Sequence, residues 1–580
     1  MKLYKKIAGL MLAGVMSVSA LSASLPAANM NADAASDTND DWIHAEGSKL
    51  YDSSGNQVWL TGANWFGFNC TENFPHGLWS ADADELLSSV ADHGINCLRI
   101  PVSTELLMSW QNGTPLECVG FNAANSPDYS FNPDFVDTDG QTMDSFGVFK
   151  VLLKKMKRYG IKCIVDVHSP ASHNSGHNYN LWYHEPNAAD ADNMAITADG
   201  TKVTSEMWIE SLAWLADQFK NDDTLIAFDL KNEPHGKRGY SGSTCPNDIA
   251  KWDGSEDENN WAYAATRCGK AILEKNPNAL ILIEGVEQYP KTEKGNTYDT
   301  PDLWNVPAEQ SPWHGGWWGG NLRGVRDYPV DFGSDSLNSQ IIYSPHDYGQ
   351  SVYAQTWFDK DFTTQTLLDD YWYDTWAYVN AEDIAPLLIG EWGGPMDDGK
   401  NQKWMELLRD YMVENHINHT FWCLNPNSGD TGGLLDSSFK VWDDNKYSLF
   451  EKSLWQTLES GKYIGLDHQT PLGENGTGLS LNEFYGGISE SEGSNINGGT
   501  KGSGSIVTPT KDVLGDVNED EKITVVDLVK VAKYVAGIEG ESFDIANADV
   551  NGDGKVNVFD MVSYKEYLNG SITKFPGDKG

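Results

Sequence analysis

Two stretches of this chain end an apolar run on a glutamate. In DLKNEPHG (229–236) the acid is Glu233, and in LLIGEWGG (387–394) it is Glu391. An acid at the mouth of a buried run is costly unless something uses it. Two carboxyl groups flanking one bond can cleave an acetal such as a glycosidic link: one protonates the departing oxygen, and the other attacks or supports the carbon left behind. Their proton affinities must then be driven apart. Asn232 can donate its amide to a hydroxyl beside Glu233. Tyr348 can donate to Glu391 and keep it ionised, while Arg99 supplies positive charge that favours the carboxylate form. Each has a plain alternative when taken singly: Arg99 paired with a structural acid, His168 capping a loop, Trp422 filling the top of the core.

Such a set needs a scaffold that gathers distant residues. Between residues 41 and 466 short apolar runs alternate with longer amphipathic ones. The runs are WLTGANWFGF (59–68), CLRIPVS (97–103), IKCIVDVHS (161–169), LIAFDLKNEP (225–234), LILIEGVEQ (280–288), IIYSPHDY (341–348), LLIGEW (387–392) and HTFWCLNP (419–426). Their near-continuous hydrophobicity predicts parallel strands covered on both faces. Between them, texts such as FGVFKVLLKKMKRYG (146–160), TSEMWIESLAWLADQFK (204–220) and WAYAATRCGKAILEKN (261–276) carry apolar residues at helical spacing. Eight strand-helix units predict an α/β fold, a (β/α)8 barrel with long loops; an open doubly wound sheet is the alternative, but no glycine fingerprint follows the first run. Barrel chemistry sits at the C-terminal strand ends. There the runs place Asn64, Trp65, Arg99, His168, Asn232, Glu233, Glu284, His346, Tyr348, Glu391 and Trp422.

Together these motifs resemble glycoside hydrolase family 5, in particular its bacterial endoglucanases (cellulases). The likeness is carried by NWFGF (64–68), LRIP (98–101), DVHSP (166–170), LKNEPHG (230–236), SPHDYG (344–349), IGEWGG (389–394) and FWCLNPNSGDTGG (421–433). The resemblance implies Glu233 as acid/base and Glu391 as nucleophile, with Arg99, His168, Asn232, His346, Tyr348 and Trp422 around the substrate. It further implies a retaining double displacement, with carboxyl groups roughly 5–5.5 Å apart, and no cofactor for catalysis. Trp65 and Trp182 are added as sugar-stacking candidates; for Trp182, and for Trp317 and Trp318 in a bulky insertion, packing within their own loops is the competing expectation. Glu284, a third strand-end acid, reads as structural. The barrel alone leaves a β-mannanase or mixed-linkage glucanase open. A non-catalytic carbohydrate-binding protein is disfavoured by the intact glutamate pair.

The remaining text frames this unit. A formal charge of -43, from 41 basic and 84 acidic residues, opposes nucleic-acid binding. Residues 1–34 open with Lys2, Lys5 and Lys6, continue with a short apolar stretch and end in small residues, so they read as a secretory signal, not a membrane anchor. Secretion follows as an expectation. Seven cysteines do not make a disulfide scaffold; Cys97 and Cys163 read as buried thiols, and a Cys245–Cys268 bridge is left open. Residues 467–512 read as tail and flexible linker. In 513–575 two twelve-residue loops recur, each with oxygen-bearing side chains at positions one, three, five, nine and twelve. These are Asp516, Asn518, Asp520, Thr524 and Asp527, then Asp549, Asn551, Asp553, Asn557 and Asp560, with Lys522 and Lys555 lending carbonyls: two calcium sites. Glu521 stands where the second loop has Gly554, which predicts a weaker first site. The repeat resembles a type I dockerin, a small all-α module. That resemblance implies a cohesin domain of a cellulosome scaffold as partner, met largely through Val525, Val526, Val558 and Phe559.

Overall fold

The computed structural model describes residues 40–577 apart from 124–131, 175–177, 185–194, 246, 305, 398, 489–491, 497–513, 518–522, 536–544, 553–554 and 570. The signal-peptide reading, and Asn518, Asp520, Lys522 and Asp553 of the proposed calcium loops, lie outside the described residues.

Eight parallel strands form one sheet: β1 (Thr61–Asn64), β2 (Cys97–Ser103), β3 (Lys162–Ser169), β4 (Leu225–Asp229), β5 (Leu280–Ile283), β6 (Ile341–Tyr343), β7 (Leu388–Ile389) and β8 (Asn418–Phe421). Their order is β6-β5-β4-β3-β2-β1-β8-β7. Parallel bridges Tyr343↔Leu387 and His346↔Glu391 join the two ends, closing the barrel. Every residue of these strands is buried, which is why they read as continuous apolar runs. The intervening helices cover the outside. In Ser145–Arg158 the Asp144 carboxylate caps the amide of Gly147 and Lys155, Lys157 and Arg158 crowd the last turn, so both ends suit the helix dipole. Thr204 caps Ser205–Gln218 in the same manner.

The sixth unit departs from the simple alternation. Only the short helix Asp335–Asn338 precedes β6, and the segment after it winds through a π-helical stretch, Leu368–Ala377, between Thr364–Leu367 and Tyr378–Ala381. This stretch packs Trp372 and Trp376 inward, and their neighbour Asp347 accepts the indole N–H of Trp376 at 3.1 Å and of Trp404 at 2.9 Å. Asp347 lies between His346 and Tyr348, so the indoles fix the strand end that carries two site residues.

The packing of the barrel does not stop at 466. The antiparallel strands Ile43–Glu46, Lys49–Asp52 and Gln57–Val58 form a three-stranded sheet. One apolar cluster joins their Ile43, Leu50 and Val58 to barrel residues such as Ile226 and Leu282, and to Leu481, Phe484, Tyr485 and Ile496 from the segment read as tail. Its few apolar residues are spread through Gly, Asn and Ser, which hides a packed segment from a composition count. His468 ties the two chain ends: its backbone N–H donates to Asp41 Oδ1, its Nδ1 lies 2.6 Å from the same carboxylate, and its Nε2 lies 3.0 Å from Asp52 Oδ2. Lys162 Nζ reaches Asp41 Oδ2 at 2.6 Å.

This clasp has a pH signature. Burial alone would lower the His468 pKa, but its bonds to Asp41 and Asp52 raise it to about 10. Burial likewise opposes ionisation of Asp41 and Asp52, yet His468 holds both below the usual carboxylate range, Lys162 assisting at Asp41. The imidazolium contribution is therefore complete below the ordinary histidine value of about 6.5 and is lost as pH rises through about 10, whereas the carboxylate contribution is lost as pH falls below about 4. His468→Gln is expected to lower the thermal midpoint at pH 6 and to flatten its fall between pH 7 and 10. A variant falling as steeply as the parent would assign the alkaline limb to other groups.

All seven cysteines are free thiols, so the Cys245–Cys268 bridge left open by the sequence is not formed. Among the described residues no helix is long and apolar enough to cross a membrane. The C-terminal unit has its own core, Val517, Val531, Ala548, Val550, Tyr564 and Phe575, between helices Val525–Val535 and Val558–Leu568. Those helices begin at Val525 and Val558, so loop positions ten to twelve already lie in the first turn.

Candidate active site

The site is built around Arg99, which β2 points into the barrel mouth with no exposed surface. Its Nε donates to Asp229 Oδ2 at 2.9 Å; Nη1 donates to Glu391 Oε1 at 2.9 Å and to Asn64 Oδ1 at 3.0 Å. Nη2 donates to Asn232 Oδ1 at 3.0 Å and Glu284 Oε1 at 3.1 Å, and lies 3.2 Å from Asp166 Oδ1. One planar cation thus indexes acids from β3, β4, β5 and β7 against one another, a task suited to a five-donor fork. Burial opposes the charge, but Asp166, Asp229, Glu391 and Glu284 together raise the guanidinium well above its usual value.

Glu391 is held at both oxygens. Arg99 donates to Oε1, and the Tyr348 hydroxyl donates to Oε2 at 2.7 Å. Two donors, one of them charged, thus fix the orientation of both carboxylate oxygens. Glu233 is set differently. It is less buried, it adopts a left-handed backbone conformation (φ 48°), and its Oε1 lies 3.0 Å from His346 Nδ1. The Glu233 N–H donates to Glu284 Oε2 at 2.7 Å, which fixes the strained residue. His346 Nε2 points to Glu284 Oε1 at 3.2 Å, so His346 stands between the two glutamates. Burial would lower the His346 pKa; Glu284 and Glu391 instead raise it well above the usual histidine value. Carboxylate oxygens of Glu233 and Glu391 come within 4.8 Å of each other and of a His346 nitrogen.

The surrounding residues divide into those that face the cleft and those that hold it. Asn232 accepts from Arg99 through Oδ1, which turns its NH2 away from the guanidinium, where a substrate hydroxyl can receive it. The Trp422 ring is partly buried, stacks with Phe66 at 5.6 Å and lies parallel to His168 at 5.7 Å, while its Nε1 donates to Ser428 Oγ. His168 Nδ1 lies 2.8 Å from Asp166, fixing the ring.

Three sequence expectations need correction. Arg99 is wholly buried against Glu391 and orients acids, with no exposed surface to offer a substrate. Trp182 is fully buried against Trp261 and Trp208, at 5.1 and 6.1 Å, and donates to Ser205 Oγ, so neither face is open to a sugar. Trp65 is equally enclosed, its indole N–H spent on the His76 carbonyl. Glu284, read as structural, is fully buried and holds the site in place: it accepts from the amide of Glu233 and contacts His346. Gly319 packs against it so closely that a Cβ would stand 2.2 Å from Glu284 Oε2.

The sequence also passed over Asp166 and Asp229. Their signal was available, since both are acids inside apolar strands. Burial, opposed by Arg99 and reinforced by Asp166, pushes the Asp229 carboxyl up to about 6. Burial, opposed by His346 and Arg99 and reinforced by Asp229, pushes Glu284 up to about 8. Arg99 and His168 overcome burial at Asp166 and hold it below the usual range.

A closed parallel barrel with two convergent, differently held carboxyl groups at its C-terminal mouth defines a glycoside hydrolase scaffold. The chain belongs to the cellulase family, glycosyl hydrolase family 5, whose family model matches residues 51–428. A type I dockerin domain matches residues 514–569. The chain is 58% identical over 492 residues to Endoglucanase G of Acetivibrio thermocellus, covering 84% of each chain, and 40% identical over 532 residues to Endoglucanase B of the same organism, covering 86% of each. Among solved structures, an endocellulase from Pyrococcus horikoshii is 30% identical with a TM-score of 0.56, over 71% of this chain and 98% of that one. A complex of that endocellulase with cellotetraose is similar at a TM-score of 0.55.

Proposed function

We propose that this chain is a secreted, retaining endo-β-1,4-glucanase in which Glu391 is the nucleophile and Glu233 the acid/base, and that its dockerin binds two calcium ions and a scaffold cohesin. The observation that carries the catalytic reading is the approach of the two carboxylates within 4.8 Å, too close to leave room for the interposed water of an inverting enzyme. Glu391, doubly hydrogen-bonded, attacks the anomeric carbon as Glu233 gives its proton to the departing glycosidic oxygen. One C–O bond forms and one breaks. Glu233 then takes a proton from water, whose oxygen displaces Glu391 and restores the configuration. The names of the endoglucanase relatives favour a β-1,4-glucan over mannan.

Hydrolysis of a soluble cellooligosaccharide followed by proton NMR is expected to give the β-anomer first, with mutarotation to α later. Initial α-anomer would refute retention. Comparing carboxymethyl-cellulose, mannan and barley glucan ranks the substrate readings.

The dockerin residues fit calcium. Asp527 and Asp560, each at loop position twelve, are fully buried. The Asp527 carboxylate accepts the amides of Val517 and Thr524 across its loop, and Asp560 those of Asn551 and Asn557. Burial first, then the charges of Asp527, Asp560 and Asp516, raise the Tyr564 phenol, so acids of both loops crowd one region of a small core. Asp516, Asn518, Asp520, Thr524 and Asp527, with the Lys522 carbonyl, would hold one ion; Asp549, Asn551, Asp553, Asn557 and Asp560, with Lys555, the other. A bound dication would neutralise this repulsion and couple to folding. Chelation is expected to abolish cohesin binding and part of the helical signal while leaving hydrolysis of soluble glucan unchanged. Retained cohesin binding in chelator would refute calcium dependence.

A further inference from the structure

The loop after β1 carries a second constellation that the reaction leaves unused. The His76 N–H donates to the Phe66 carbonyl, the Cys70 N–H to that of Gly67 and the Asn73 N–H to that of Cys70, so residues 66–76 close on themselves. Gly67 makes the closure possible, since at φ 147° a Cβ would stand 2.4 Å from the His76 nitrogen. The folding gathers Cys70 Sγ, a Glu72 carboxylate oxygen and a His76 ring nitrogen within 4.8 Å of one another. His76 Nε2 is buried without a hydrogen-bond partner, in a residue only 5% exposed, and the closest charged atom is Glu72 Oε2 at 3.7 Å. Such an orphaned ring nitrogen facing a thiol and a carboxylate asks for a partner that accepts all three.

We propose that Cys70, Glu72 and His76 form a binding site for a borderline-soft divalent cation of the zinc type, which staples this loop. Donor chemistry selects the ion: thiolate, imidazole and carboxylate together suit zinc, whereas calcium takes oxygen alone. Ligand atoms around tetrahedral zinc lie roughly 3.3–3.8 Å apart, so the side chains need draw in by about 1.5 Å at most. Glu72 is free enough to do so, being part-exposed and held only by long hydrogen bonds from Asn174 Nδ2 at 3.3 Å and Thr71 Oγ1 at 3.4 Å. The other ring nitrogen, Nδ1, lies 3.1 Å from Asn427 Nδ2; turning that amide over would let its oxygen accept the Nδ1 proton and leave Nε2 to the metal. Coordination releases the Cys70 thiol proton to solvent.

The location gives the staple a purpose. His76 packs edge-on against Phe66 at 5.2 Å, Phe66 backs the Trp422 ring, and His76 lies 5.0 Å from Trp79, one of the part-exposed tryptophans. A cation here would therefore rigidify the wall behind a sugar-facing indole.

The test uses cobalt(II) and zinc(II) on the full-length protein with calcium in excess to fill the dockerin. Cobalt is expected to give one equivalent of thiolate-to-metal charge-transfer absorption, lost in Cys70→Ser and retained in Cys118→Ser, Cys118 being the one thiol that is not buried. Glu72→Gln and His76→Gln are expected to weaken zinc competition at least about 100-fold. Zinc is expected to raise the thermal midpoint of the parent and not of Cys70→Ser, whose hydrolysis of soluble glucan without metal verifies its fold. Absence of the absorption, or its survival in folded Cys70→Ser, would overturn the proposal.

Discussion

Glu391→Gln is expected to cut turnover of a soluble glucan by about 10⁵-fold or more while leaving the thermal midpoint within a few degrees of the parent, because the amide keeps the shape of the acid but cannot form the glycosyl ester. The fold should tolerate it: the amide oxygen can still accept from Arg99 and its nitrogen donate to the Tyr348 oxygen, so no buried group at either end is orphaned. Glu233→Gln separates the two roles. With a glucan the loss should be about 10²–10⁴-fold, the usual worth of a general acid. With an activated aryl cellobioside, whose leaving group needs no proton, the first step should persist and a glycosyl-enzyme should accumulate. Azide makes the assignment stereochemical, since it replaces the missing Glu391 to give an α-glycosyl azide and assists Glu233→Ala to give the β product. Exchange of these two outcomes would exchange the two roles.

How far the sequence could foresee this site depends on where each residue lies in the fold. Barrel strands are buried on both faces, so β1 to β8 announce themselves as apolar runs, and the strand-end rule then selects Glu233, Glu391, His346 and Tyr348 without knowledge of contacts. Exposure is another matter. Trp65 and Trp182 sit beside strand ends or in site loops exactly as a stacking tryptophan would, and only packing against His76, Trp208 and Trp261 shows that their faces are occupied. The segment after 466 fails for a different reason. Its anchors, Leu481, Phe484 and Tyr485, are few, and the cluster they join includes Ile43, Leu50 and Val58 some four hundred residues earlier, where no local pattern can report it. The left-handed Glu233 and its tether to Glu284 are equally silent, because the Asn-Glu-Pro text gives no sign that the amide of Glu233 is bonded to an acid on the next strand.

Arg99→Met is expected to prevent folding or to lower stability by at least about 5 kcal/mol, a large fraction of what a domain has to lose. A methionine matches the volume of the side chain but abandons Asp166, Asp229, Glu284 and Glu391, whose carboxylates all lie within 3.2 Å of the guanidinium, leaving His346 and Lys231 to offset them. Isolated buried carboxylates must take up protons or bring in water, and either response breaks the bonds that aim Glu391 and Asn232. Arg99→Lys tests the geometry apart from the charge. Its ammonium restores one positive charge but cannot reach Asp229, Glu391, Asn232 and Glu284 together, so it should fold with a reduced urea midpoint and still lose about 10²–10³-fold in kcat through misplacement of the nucleophile. If Arg99→Lys instead worked at the parental rate, net charge alone would be what the acids require, and the fork described above would have no catalytic consequence.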